Sequence, residues 1–433
     1  MSADAANLSS VRDSIALRRA RIAAVVPLDD ALLIVAAGDP VHLPENSDQT
    51  YPFRSHAEYY YLTGQECPGG ILAYDPLDRR WISFVPAITE AEKIWEARAQ
   101  LSGTPLPEFA SWFRARRGRR VANLGALVAA LGFDEELTTL VRDHFQHARR
   151  AKDAGELALM RRAVAATAAG FEKLCAALRP GISERALQIE IEAEFFRHGA
   201  TRTGYDTIVG GGSNSAVLHF QPTARTVRAG EFVLVDAGAE VDRYVADVTR
   251  TFVVGRPNAF QRDLYQIVLA AQERAITRCV AGAEWKSLHL ACATDLVDGL
   301  ISVGVLRGKA HALIEQEAHA LFFPHGLGHL VGLGVRDASG LAIGRRQDHR
   351  PSLRMLRLDL PLQAGYVVTV EPGLYFIPPL LNDPARRARF HDSVNWPLVD
   401  QHLGLGGVRI EDNILVTGGA PENLTAAIPK TLA

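Results

Sequence analysis

The sequence predicts a mixed α/β (α+β) protein of two domains, on three observations. Its 433 residues exceed the ~250 to 300 at which single hydrophobic cores stop growing. Up to about residue 150, short apolar runs alternate with Gly, Pro and Asp turns and with helical stretches, as in a small mixed domain. The remaining chain reads helices, strands, helices, strands, an order that implies two similar halves around a shared sheet system, although no residue-level repeat is visible. The expected domains are 1–153 and 154–433.

In the first domain the runs ALLIVAAG from Ala31, EYYYLTG from Glu58, GILAYD from Gly70 and WISFVP from Trp81 read as strands, followed by helical stretches near 87–100 and 137–150. The basic run Arg114 to Arg120 lacks interleaved aromatics and reads as a solvated turn, not a nucleic-acid patch. Asp153, three residues before Glu156, has the spacing of a capping box and opens a long helix that ends before Pro180-Gly181. A second helix runs from about Ser183 to Gly199. Strands follow in YDTIVG, FVLVDAGAEV and YVADVTRTFVV. Helices come next over about Asn258–Val303 and Lys309–Ala320, then strands in VVTVEPGLYF and GGVRIEDNILV.

Composition excludes several functions. Basic and acidic residues number 47 and 49, so no global field draws nucleic acid or an anionic membrane. The cysteines, Cys67, Cys175, Cys279 and Cys292, form no C-x-x-C pair and read as reduced, mostly buried thiols. The N-terminal segment lacks the apolar stretch of a signal peptide, and the run Ala31 to Ala37 is far short of the ~20 residues of a spanning helix. A cytoplasmic protein without membrane or nucleic-acid partners is expected.

Charge that matters is therefore local. If Asp242-Arg243 form a hairpin loop, Val241 faces Tyr244, Asp236 faces Thr249 and Asp247 faces Gly238, which makes Asp236 and Asp247 diagonal neighbours on one face. Two carboxylates so placed in an apolar strand pair repel each other unless cations lie between them. Read alone, the lesser alternative is that one of them is a turn residue facing water. His325-Gly-Leu-Gly-His329 offers imidazoles four apart, without the adjacent Glu of a zinc-protease helix, and alone suits a structural pair as well as a ligand site. Glu371 ends an apolar strand at Pro372-Gly373, and Arg409 and Glu411 stand two apart on another. Each has a bland reading as a surface carboxylate or ion pair. Together Asp236, Asp247, Glu371 and Glu411 with neutral His329 balance two divalent cations, and the oxygen-rich set favours Mn²⁺ over a thiolate-type zinc site. Two such ions can turn water into a nucleophile and polarise a carbonyl.

The chain resembles the pita-bread metallopeptidases, specifically prolidase (Xaa-Pro dipeptidase) and aminopeptidase P. The resemblance rests on Tyr205-Asp-Thr-Ile-Val-Gly, Val217-Leu-His219-Phe, Asp236-Ala-Gly, Asp247-Val-Thr-Arg-Thr-Phe, His325-Gly-Leu-Gly-His329, Thr369-Val-Glu371-Pro-Gly and Val408-Arg-Ile-Glu411-Asp, in the family's order. Tyr51-Pro-Phe-Arg and Tyr59-Tyr-Tyr-Leu-Thr-Gly look like the creatinase-type N-terminal domain. The resemblance implies a C-terminal pita-bread catalytic domain and two metal ions, Mn²⁺ foremost and Zn²⁺ or Co²⁺ as alternatives. It implies Asp236, Asp247, His329, Glu371 and Glu411 as their ligands, with Asp247 and Glu411 bridging. Glu371 would accept the proton of the attacking water, and His219 and His325 would line the pocket. A small peptide with proline second would be the substrate, and a homodimer the assembly.

Arg357, in a segment similar to one of prolidase, and the insertion Leu380 to His402 favour a dipeptidase, with Arg357 and Arg409 facing the substrate. Aminopeptidase P and a non-peptidase hydrolase of the same fold, such as creatinase, are the alternatives. One departure stands out: the family's Val-His-Asp is Val335-Arg336-Asp337 here, which places Arg336 as a candidate for substrate carboxylate.

Overall fold

The computed structural model describes residues 3–45, 47–128 and 131–432. Two compact units result, Met1–Arg149 and Arg150–Ala433. In the first, five strands stand in the order Thr104–Pro105, Arg80–Val85, Ile71–Asp75, Leu32–Ala36 and Val121–Gly125. Leu32, Ile34, Ala73, Phe84, Phe109 and Val121 form a core on this sheet.

The expected strand EYYYLTG is instead a helix, Ala57–Thr63. Tyrosine favours strands only weakly, and two local features override that preference. Gly64 caps the helix in the left-handed conformation at φ 65°, and Tyr59, Tyr61 and Leu62 are buried by the surrounding structure. In the basic run, Arg116 binds Asp75 and Asp78 while Arg119 holds both Asp75 oxygens. Those cations fasten a turn to the sheet. Cys67, Cys279 and Cys292 are buried and free, and Cys175 is exposed and free.

The second unit opens as its capping box predicts: Asp153 accepts from the Glu156 amide and Glu156 returns the bond at the head of helix Ala154–Ala177. That helix and Glu184–Arg197 pack over a three-stranded antiparallel sheet of Ile208–Gly211, Phe232–Ala237 and Val248–Val253. Further along, helices Ala259–Thr277 and Trp285–Ser302 cover Val367–Val370, Asp412–Leu415 and Glu422–Asn423, again three strands. Helix pair then sheet thus occurs twice.

The insertion after Tyr375 folds as short helices Pro378–Leu381, Pro384–Arg389 and Trp396–Gln401. Leu381, Phe390, Val394 and Val399 seat it in the main core. Among the described residues, no helix is long and apolar enough to cross a membrane.

Candidate functional site

The Asp236/Asp247 hairpin has the expected register. Tyr244 pairs with Val241 and Thr249 with Asp236. Asp242 and Arg243 both take positive φ, 48° and 75°, as a two-residue turn of this hand requires. Gly238 lets the strands close, since a Cβ there would lie 1.7 Å from the Ala246 carbonyl oxygen.

The second pair of carboxylates comes from the other half. Glu371 follows strand Val367–Val370 directly, and Glu411 occupies the break between Gly407–Arg409 and Asp412–Leu415. His329 reaches them because its amide donates to Thr369 Oγ1 at 3.0 Å while the Thr369 amide bonds the His329 carbonyl. All five face a cavity of about 390 Å³, also lined by Tyr205, His219, His325, Arg336, Arg357 and Arg409. Every site residue expected from the sequence therefore borders one space.

Asp247, His329 and Glu411 each present a ligand atom, and the three atoms lie within 4.8 Å of one another. His329 Nδ1 is 3.0 Å from the Leu330 carbonyl, which can only accept, so Nδ1 carries the proton. Its Nε2 lone pair then faces Asp247 Oδ2 at 3.5 Å and Glu371 Oε1 at 3.8 Å. A lone pair aimed at two carboxylates repels them unless a cation stands between, and a histidine with its other N–H on a carbonyl is the usual metal-ligand arrangement.

Burial lowers the His329 pKa to about 4, so the ring is neutral at pH 7. Burial, reinforced by carboxylate neighbours, pushes the Asp247 and Glu411 carboxyls well up, and Glu371 up to about 7. Without cations Asp247, Glu371 and Glu411 hold their protons to higher pH than ordinary carboxyls. Oxygen donors with one imidazole suit hard divalent ions, so the residues fit the metal pair that the sequence suggests.

Tyr205, Tyr375, Thr249 and Asn413, whose roles were not singled out from the sequence, brace the ligands together with Arg409. Asp236 accepts from Tyr205 Oη and from Arg409 Nη2, both at 2.6 Å. Arg409 also donates to Thr249 Oγ1 at 3.0 Å and Tyr375 Oη at 2.9 Å. Three of its five N–H donors are thus bound by protein groups, which gives it a positioning task on Asp236 while it also lines the cavity. Tyr375 passes its own proton to His325 Nε2 at 2.8 Å, whose Nδ1 donates to the Gly326 carbonyl at 2.8 Å. Thr249 donates to Glu411 at 2.6 Å, and Asn413 brackets the Asp247 backbone at 3.0 and 2.6 Å. Tyr205 lies inside a family-like motif and Tyr375 two residues past another, and an aromatic hydroxyl beside a ligand motif was the signal available.

His219, Arg336 and Arg357 are exposed at the rim.

Residues 158–418 match the model of metallopeptidase family M24, and residues 15–111 match the N-terminal domain of aminopeptidase P. A Botryotinia fuckeliana protein named a probable Xaa-Pro aminopeptidase is 32% identical over 404 residues, covering 89% of this chain and 87% of the relative. One from Tuber melanosporum, named likewise, is 33% identical over 399 residues, covering 88% and 86%. Among solved structures, Pseudomonas aeruginosa aminopeptidase PepP is 28% identical with a TM-score of 0.78, covering 97% of this chain and 96% of that one. Zn-substituted E. coli aminopeptidase P in complex with product gives 28% and 0.79, covering 97% and 96%.

These likenesses support the alternative, aminopeptidase P, better than the dipeptidase first expected, because the relatives are named aminopeptidases and the pita-bread architecture they share spans nearly the whole chain. The insertion Leu380 to His402 does not bear on substrate: it packs in the core and contributes no residue to the cavity.

Proposed function

This chain belongs to metallopeptidase family M24, and we propose that it is a Xaa-Pro aminopeptidase, releasing the N-terminal residue from peptides with proline in the second position. The observation that carries the reading is the convergence of four carboxylates and one histidine on a single cavity, in a chain that resembles aminopeptidases P from end to end.

In this reading Asp236, Asp247, His329, Glu371 and Glu411 would hold two divalent ions, with Mn²⁺ the expected occupant. When bound, those ions supply an activated water and a polarised scissile carbonyl. The chain's own groups do the rest. Glu371, bordering the same cavity, takes the proton of the attacking water and can return it to the departing proline nitrogen, which as a tertiary amide has no N–H of its own. Arg409 and Tyr205 fix Asp236 through one oxygen each, so its carboxylate cannot rotate away. His325, held by Tyr375 on one side and a carbonyl on the other, presents a neutral ring to the substrate, and His219 closes the rim beside it.

The test compares Mn²⁺-loaded protein on a Xaa-Pro dipeptide and on a longer Xaa-Pro-Xaa peptide. Preferential cleavage of the longer peptide is expected. Cleavage of the dipeptide alone would return the dipeptidase, and cleavage of neither would favour a non-peptidase use of the fold.

A further inference from the structure

We propose that Arg336 makes this site selective for short peptides that carry a carboxylate just beyond the proline, with Arg357 as the second cation of the same clamp. This rests on the aminopeptidase reading and adds a substrate class to it.

The argument begins with the loop that carries Arg336. The Asp337 amide bonds the Leu330 carbonyl at 2.9 Å, and Asp337 Oδ2 accepts from the Leu333 amide at 3.1 Å. Asp337 also pairs with Lys152 at 2.9 Å, both side chains almost wholly inaccessible to water. Gly332 is what lets the pair approach: a Cβ there would sit 2.3 Å from Lys152 Cε and 2.6 Å from Asp337 Oδ2. The loop is therefore fixed from within. Arg336 is its exposed residue, between half-buried Val335 and buried Asp337.

Its guanidinium is not used up by the protein. Among the described residues, neither Arg336 nor Arg357 forms an ion pair or hydrogen bond, yet both line the cavity. Two unpaired cations beside four carboxylates divide the cavity by charge. With the four carboxylates matched by two divalent ions, the arginines are the uncompensated charge of the cavity; they repel the substrate's ammonium end and so face the part beyond the scissile bond. A planar guanidinium on a fixed loop suits a carboxylate there, which a neutral imidazole at the same position would bind weakly.

The experiment measures kcat and KM on Mn²⁺-loaded protein for Gly-Pro-Gly, its C-terminal amide, and Gly-Pro-Asp amide. A KM about tenfold lower for the free acid than for the amide is expected, shrinking as salt is raised. In Arg336→Ala the acid-to-amide ratio should collapse to within about twofold, in Arg336→Lys it should fall part-way, and Arg357→Ala should reduce it as well. Gly-Pro-Asp amide tells whether a side-chain carboxylate serves as well as the terminal one. A ratio near one in the parent protein overturns the proposal and leaves the aminopeptidase standing. So does a ratio unchanged in Arg336→Ala, even if kcat falls for both peptides, because Arg336 would then act on the reaction and not on selection. If no peptide is cleaved, the aminopeptidase reading fails, and calorimetric Kd values for the same acid and amide decide the clamp by the same ratio.

Discussion

Removing the metal should make this protein's stability depend on pH in a way the loaded protein does not share. In the metal-free site burial raises Glu371 to about 7, against an unfolded value of ~4.3. A carboxyl whose folded pKa is raised contributes stability that is fully present below the unfolded value and is lost as pH rises through the folded one. The window runs from about pH 4.5 to about pH 7, and a shift of that size is worth about 3 kcal/mol from Glu371 alone, with Asp247 and Glu411 acting in the same direction. Divalent cations cancel the loss by taking the protons' place, so metal binding strengthens as pH rises.

The assay is thermal unfolding of chelator-treated and Mn²⁺-loaded protein, followed by circular dichroism from about pH 5 to about pH 8. The gap in Tm between the two should widen across that range by roughly 6 to 10 °C. Glu371→Gln, which cannot ionise, should remove its share of the slope from the metal-free protein. A gap that stays constant with pH, or a slope that survives Glu371→Gln, would refute the reasoning that these acids hold protons where cations belong.

Three further outcomes are expected. Tyr375→Phe keeps the ring but deletes the hydroxyl between Arg409 and His325, and should cost about 1 to 2 kcal/mol of stability and lower kcat more than it raises KM, read by melting and steady-state kinetics. Asp412→Asn strips the buried counter-ion from Arg250, at 2.8 Å, and should destabilise by about 3 to 5 kcal/mol in denaturant titration. Burial alone would raise the Asp412 carboxyl, but Arg250 and Lys430 outweigh it and hold it below the usual range. Its contribution is therefore in force above about pH 4 and lost as pH falls below that, so the variant should lack that acid-side loss. Gly238→Ala drives a methyl into the Ala246 carbonyl and should disturb the Asp236/Asp247 hairpin, weakening Mn²⁺ binding by at least about tenfold in a competition titration.

What the sequence discloses about this site divides by range. The Asp236/Asp247 register is legible because a two-residue turn at Asp242-Arg243 dictates it, and every pairing that follows lies within a few residues of that turn. The capping box at Asp153 is legible for the same reason. Where a local preference meets a tertiary constraint, sequence reading errs: three consecutive tyrosines suggest a strand, yet Tyr59 and Tyr61 bury on a helix that Gly64 stops. Resemblance errs differently, since a segment such as Leu380 to His402 is matched by its presence when its packing decides what it does.

Apart from Tyr205 on Asp236, the side-chain braces of the carboxylates were illegible because they cross between the two helix-and-sheet halves. Asp236 and Asp247 belong to the first half, Glu371 and Glu411 to the second, and like charges would drive the halves apart at the place where they meet. The cross-links oppose that separation: Thr249 of the first half binds Glu411 of the second, Asn413 of the second clasps Asp247 of the first, and Arg409 of the second grips Asp236 and Thr249 of the first. None of these pairs is closer than about 160 residues in sequence, so neither periodicity nor spacing can reveal them. They also explain why the family-like motifs extend past the ligands themselves, to Thr249 after Asp247 and Arg409 before Glu411. Those neighbours hold two repelling pairs of acids close enough to share cations.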